Sequence, residues 1–185
     1  MKAYKTEIHL TVKQKEKVNQ TIGVCRFLYN QYISYNKMMY EKEGIFVSGM
    51  DFDKYVNNEL AKQEGFEWIK KAYGKARKKS IMNAERAFKN FFKGLTQFPR
   101  FKKKKKQDMN FYAPKNNKTD LLAERHRIKV PFLGFVHFKE KGYILINKII
   151  KSVVITQRAG RYYISVLVED ELPAQDEKYV RKELA

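Results

Sequence analysis

A chain of 185 residues with 43% apolar and 14% aromatic side chains has enough apolar material to build a core, which excludes a purely disordered basic tail. Lys and Arg number 39 against 20 Asp and Glu, a formal charge of +19; an excess of that size repels itself and points to a polyanionic partner, nucleic acid first and an anionic membrane surface second. Apolar runs of only a few residues give no membrane span, and a single cysteine, Cys25, excludes a disulfide framework or a Cys-cluster zinc site and fits a reducing cytoplasm.

The N-terminus leads directly into alternation rather than into the apolar stretch of a signal peptide. Tyr4, Thr6, Ile8 and Leu10 point one way and Lys5, Glu7 and His9 the other, which predicts a half-buried strand over residues 3–10. From Thr11 the period lengthens. Val18, Ile22, Cys25, Tyr29 and Tyr32, widened by Leu28, Tyr35 and Met39, predict an amphipathic helix over roughly 13–42, stopped near Gly44. Ser48-Gly-Met-Asp51 resembles a helix start, with Phe52, Tyr55, Val56 and Leu60 as its apolar face. After Gly65, Phe66–Lys70 reads as a single turn. A further helix near 75–95 has Ile81, Ala84, Phe88, Phe91 and Leu95 as its buried stripe. Lys75, Arg77, Lys78, Lys79, Arg86, Lys89 and Lys93 fill much of the rest of that helix.

Gly94 to Phe101 breaks the helical pattern, and Arg100 leads into five lysines, Lys102, Lys103, Lys104, Lys105 and Lys106. Residues 107–124 are polar and read as loop. Beyond Arg125 the period becomes two. Ile128 with Val130, Phe135–Phe138, Tyr143–Ile146, Ile149–Thr156 and Tyr162–Val168 predict strands, with turns at Gly134, Gly142 and Gly160 and a hairpin at Ala159-Gly160. The acidic tail from Glu169, containing Pro173, reads as a linker. The order is one strand, a helical block, then several strands. The first strand cannot stand alone, so the simplest architecture is α+β: one small barrel or sheet that includes it, with the helices as an insertion.

The charge is concentrated. Residues 70–106 hold fifteen basic side chains against one acidic, Glu85, while residues 1–69 hold ten against nine. A polyanion-binding surface should centre on the helix near 75–95 and the loop after it. Lysine and arginine neutralise phosphates and release counterions. Phe98, Phe101, Phe111 and Tyr112 flank the lysine run and are read either as core residues or as stacking groups for unpaired bases. Catalytic patterns are missing from the sequence: there is no nucleophile elbow, Ser-His-Asp pattern or phosphate-binding glycine loop, and so no catalytic or metal-ligating residue is assigned. His9, His126 and His137 lie in or beside strands without metal-ligand spacing and read as structural or surface groups. Asp51 and Asp53 read as helix-start residues, and Glu169, Asp170 and Glu171 as a solvated acidic run rather than a metal site.

Six stretches in order carry a resemblance: Gly23-Val-Cys-Arg-Phe-Leu-Tyr-Asn30; Ala87-Phe-Lys-Asn-Phe-Phe-Lys93 with Phe98-Pro-Arg-Phe-Lys-Lys103; Ile128-Lys-Val-Pro131; Leu133-Gly-Phe-Val136; Ile149-Ile-Lys-Ser-Val-Val154; and Tyr162-Tyr-Ile-Ser-Val166. Over residues 3–170 the chain resembles the N-terminal half of TnpB proteins, transposon-encoded RNA-guided DNA nucleases formerly called OrfB transposases and related to compact type V CRISPR effectors. The resemblance implies an oligonucleotide-binding-type wedge barrel (residues 1–12 and 121–170), an inserted helical recognition lobe (13–120) and an acidic linker (171–185). It implies a guide RNA and a target DNA as partners, with sequence read by base pairing. It places motif-reading positions around Val47–Asp51, Gly74–Lys78 and Lys115–Asn116; Asn116 matches by residue type, and Lys75 and Lys78 by position only.

In the family a RuvC-type nuclease domain follows the last strand, and residue 185 falls before it. The expectation is therefore a ribonucleoprotein module in a prokaryotic cytoplasm, nucleoid-associated when on target, with no cofactor in this chain and magnesium only for a RuvC-type partner. The nuclease would be a separate subunit, making this chain the non-catalytic half of a split endonuclease, or would have been lost, leaving a guide-dependent DNA-binding regulator; a shortened product is a third explanation. A plain basic nucleic-acid-binding protein is the alternative without a guide.

Overall fold

The computed structural model describes residues 1–104, 109–144 and 149–169. The chain opens with strand β1 (Lys2–His9), in which Thr6 and Ile8 are buried while Lys5 and His9 are exposed, as the alternation predicts. Thr11 ends it and caps helix α1 (Val12–Glu43): its hydroxyl accepts from the Gln14 N–H and the Gln14 side chain accepts from the Thr11 N–H. Gly44, at φ +68°, closes the helix in the left-handed conformation that a side chain would penalise. Ser48 caps α2 (Gly49–Asn58), two short 3-10 turns follow (Leu60–Lys62 and Glu67–Lys71), and α3 spans Gly74–Phe92.

The strands are β2 (Met109–Pro114), β3 (Arg127–Val130), β4 (Gly134–Phe138), β5 (Ile149–Arg158) and β6 (Arg161–Glu169). They form one sheet in the order β2-β5-β6-β1-β4-β3, with every pairing antiparallel. β1 sits between β6 and β4, as the need to pair an isolated first strand demands. Ala159 and Gly160, at φ +48° and +75°, make the predicted hairpin turn between β5 and β6.

The sheet curls into a half-barrel. Phe111 and Ala113 on its one edge strand and Ile128 and Val130 on the other bury into the same apolar cluster. The Tyr73 ring spans the opening, edge-on to Phe111 at 6.2 Å and stacked on Phe132 at 5.8 Å. The first half of α1 plugs the curl with Val18, Ile22 and Cys25. Polar contacts seat it there: the Gln14 amide donates to the Leu133 and Phe135 carbonyls (3.1 and 2.8 Å), and the Tyr162 hydroxyl donates to Asn19 at 2.9 Å.

A second cluster lies among the helices. Val24, Leu28, Tyr29, Tyr32 and Ile33 from α1 meet Phe52 and Val56 from α2, Ile69, and Ile81, Ala84 and Phe88 from α3. The stripe read as one apolar face of α1 is thus divided between two cores. α3 docks on α1 through Ser80, whose buried hydroxyl donates to the Cys25 carbonyl at 2.6 Å.

Three expectations are corrected. The polar stretch 107–124 contains a strand: β2 pairs with β5 along its whole length, and Pro114 is tolerated because β2 is an edge. Leu95 is not on a buried stripe; α3 ends at Phe92, Gly94 turns the chain at φ +71°, and Leu95 is 70% exposed. Tyr143 and Ile144 are not in a strand, although Ile144 is buried in the sheet core. The rest of that predicted strand (145–146), Lys105, Lys106 and the tail 170–185 lie outside the described residues.

Candidate nucleic-acid interface

α3 carries the basic surface, and the physics of its faces sorts the candidates. Lys75, Arg86, Lys89 and Lys93 are exposed. Lys89 is paired at 3.1 Å with Glu85, the acid of the 70–106 stretch, so that pair is partly neutralised. Lys78 and Lys79 are half-buried, and Lys79 Nζ lies 5.2 Å from the centre of the Tyr112 ring of β2. Arg77 is turned inward. Its Nε and Nη1 are buried without a hydrogen-bond partner, and burial lowers its pKa, opposed by the charge of Asp53.

The loop after α3 returns along α1. Phe98 sets its ring edge against Phe88 and Phe91 (5.5 and 5.4 Å), Pro99 is buried, and exposed Arg100 donates to Gln97 at 2.8 Å. The Asn30 amide then holds the backbone of Lys102 from both sides: it donates to the Lys102 carbonyl at 3.1 Å and accepts from the Lys102 N–H at 2.8 Å. The Lys102 ammonium sits 4.1 Å from the Tyr29 ring centre, where burial lowers its pKa. Lys103 and Lys104 are exposed. The first lysine of the run is therefore a structural anchor as well as a charge, and the next two are surface cations. Lys79, Asn83, Lys102, Asn110 and Tyr112 line a cleft of about 40 Å³ where α1, α3 and β2 meet.

Of the four aromatics read as core or stacking groups, Phe111 is core, Tyr112 is half-buried beneath Lys79, and Phe98 and Phe101 are exposed. The stretches that the resemblance singles out fall along α3. Asn116 lies near the Tyr73 side chain just before the helix, and Gly49 packs on Met82 and Glu85 farther along it. Lys115 is half-buried, and the N–H groups of Asn116 and Asn117 both donate to the Asp120 carboxylate (3.3 and 3.2 Å), which fixes that turn.

Sequence reasoning missed two groupings. Arg26, Asn30, Gln31 and Lys37 on the outer face of α1 line hollows beside the lysine-run loop; their helical spacing was the available signal. The three histidines also meet. His9 lies opposite His137 in the β1–β4 register, and His126 stacks on His137 at 5.8 Å. Among the described residues no group of three or more His, Cys, Asp or Glu is placed to hold a metal ion, and no helix is long and apolar enough to cross a membrane.

Residues 1–44 match the helix-turn-helix domain of the OrfB_IS605 family; here that stretch is β1 followed by the single helix α1. Over 172 residues, 93% of the chain, it is 27% identical to InsQ of Escherichia coli (strain K12), a protein described as a candidate RNA-guided DNA endonuclease of the TnpB type. The chain is similar to the N-terminal part of TnpB proteins. It spans 41% of the length of InsQ. The resemblance to TnpB thus rests on the domain at the N-terminus and on a relative aligned across nearly all of this chain.

Proposed function

We propose that this chain is the RNA- and DNA-holding module of a TnpB-like machine, binding a guide RNA and helping to recognise a motif beside the DNA target. The observation that carries the reading is the row of basic side chains from Lys75 to Lys104 along α3 and the loop that follows, beside a curled sheet, in a chain similar to InsQ across 93% of its length. Phosphate neutralisation by Lys75, Lys78, Lys79, Arg86, Lys93, Arg100, Lys103 and Lys104 supplies affinity, and base pairing between guide and target supplies sequence. In this reading the sheet is the oligonucleotide-binding-type wedge (1–12 and 121–170, with β2), the helices are the inserted recognition lobe, and Lys75, Lys78 and Asn116 face the target-adjacent motif.

In this reading cleavage is the work of a RuvC-type nuclease region, whose carboxylates hold magnesium. The test is to purify the chain from cells that carry its native locus and sequence the RNA that accompanies it. A discrete RNA species is expected, and its absence overturns the guide reading. Adding a RuvC-bearing partner, that RNA and Mg²⁺ should then cut a matching target.

A further inference from the structure

We propose that Phe101 is a preorganised stacking platform for an unpaired nucleotide, standing between two cation-lined hollows on the outer face of α1. The inference rests on the nucleic-acid reading above and names the form of nucleic acid that this surface takes. Its basis is an unusual combination of a pinned loop and an unpartnered ring. On one side of Phe101 the loop is fastened by the Phe98 ring against Phe88 and Phe91 and by buried Pro99. On the other side it is fastened by the paired hydrogen bonds of Asn30 to the Lys102 backbone and by the Lys102 ammonium over Tyr29. Both anchors hold residues next to or near Phe101, yet Phe101 itself is 53% exposed and has no ring partner among the described residues. A large apolar side chain left exposed on a fixed loop forgoes burial that its neighbours obtain, and a ligand face is what would recover it.

The surroundings identify that ligand by its chemistry. Phe101 forms a wall shared by both hollows. One, of about 510 Å³, is lined with it by Ile33, Lys37, Arg100 and Lys103. The other, of about 470 Å³, is lined with it by Arg26, Phe27, Asn30 and Gln31. The first hollow combines apolar surface with Arg100, Lys103 and Lys37, the last paired at 3.8 Å with Glu41; the second has one cation, Arg26, beside amides and apolar surface, and no carboxylate lines either. A flat apolar ring flanked by cations and amides suits a base stacked on Phe101 with its phosphates on Arg100 and Lys103. An acidic protein would meet the same cations but has no need of an exposed aromatic plane, and a duplex keeps its bases stacked on one another.

The test uses the full chain with a fluorescent single-stranded 12-mer, as RNA and as DNA, and the matching duplex. Phe101→Ala is expected to weaken single-strand binding roughly 10- to 100-fold, the range of one stacked base, while duplex affinity changes less than about twofold and the salt dependence is unchanged. Phe101→Trp should retain binding and lose tryptophan fluorescence when the single strand is added. Wild-type affinity for single strands in Phe101→Ala, or equal weakening for single strand and duplex without quenching of Phe101→Trp, overturns the stacking role. If the wild-type chain binds neither single strand nor duplex, the nucleic-acid reading itself falls and this inference with it.

Discussion

At the scale of single residues, Cys25 shows how one side chain joins the parts. It lies on α1 in the sheet core, its carbonyl accepts from Ser80 of α3, and burial pushes its thiol up to about 12, with the charges of Lys102 and Arg77 pulling the other way. A thiol protonated at neutral pH and only 7% exposed, at the floor of the narrow cleft between α1, α3 and β2, is a poor nucleophile. In the native chain Cys25 should therefore remain unmodified by an aromatic disulfide reagent at pH 8 and react only as the fold opens; stoichiometric modification within seconds would contradict the packing. The pH dependence has a definite sign. Above about pH 9 the unfolded thiol ionises while the folded one keeps its proton, so the unfolded state binds fewer protons and stability falls. This contribution is full below pH 9 and declines by about 1.4 kcal/mol per unit as pH rises towards 12. Urea titrations at pH 7 and pH 10.5 should show that loss in wild type and a smaller one in Cys25→Ala.

At the scale of elements, the loop after α3 turns a run of like charges into two kinds of lysine. Lys102 is fixed over Tyr29, while Lys103 and Lys104 face solvent. Replacing Lys103 and Lys104 by alanine should weaken binding to all sequences alike. It should also flatten the fall of log affinity with log salt by about 0.7 to 0.9 for each phosphate no longer neutralised, and further when Lys102–Lys106 are all replaced. An unchanged slope would make the run a solvated loop. The elements themselves were largely legible, because α1, α3, β1, β5 and β6 carry long, clean periods and their ends carry Thr11, Gly44 and Gly160. β2 was not, because its period-two pattern covers only six residues and stands directly after the lysine run, so polarity masked it. Its proof lies in pairing with β5, a strand distant in sequence, which no local pattern encodes. The same holds for the site. The cationic face of α3 follows from composition along one helix, but the Asn30–Lys102 clamp joins residues 72 apart, and the histidine corner depends on strand register.

At the scale of the molecule, α1 determines whether the chain behaves as one unit or two. The curled sheet and the helices each have an apolar cluster of their own, and a 32-residue helix without a break contributes to both: Val18, Ile22 and Cys25 to the sheet, Val24, Leu28 and Tyr32 to the helices. Cys25 and Val24 are adjacent in sequence yet belong to different cores, so α1 cannot leave one cluster without pulling on the other. The cationic face of α3 is held on the same helix through Ser80 and Cys25, which keeps that face in register with the sheet. Cooperative unfolding follows, and two internal probes can read it separately. Trp68 packs against Phe27 at 5.0 Å on the helical cluster, and the Cys25 thiol reports the sheet cluster. Urea transitions followed by Trp68 fluorescence and by Cys25 accessibility should coincide in midpoint and slope. Replacing Leu28 by alanine, which empties space in the helical cluster only, should shift both midpoints together by the equivalent of about 2–5 kcal/mol. A shift in the Trp68 transition alone would mean that the helical part unfolds on its own and that α1 breaks between Val24 and Leu28, in which case the basic surface would move independently of the sheet.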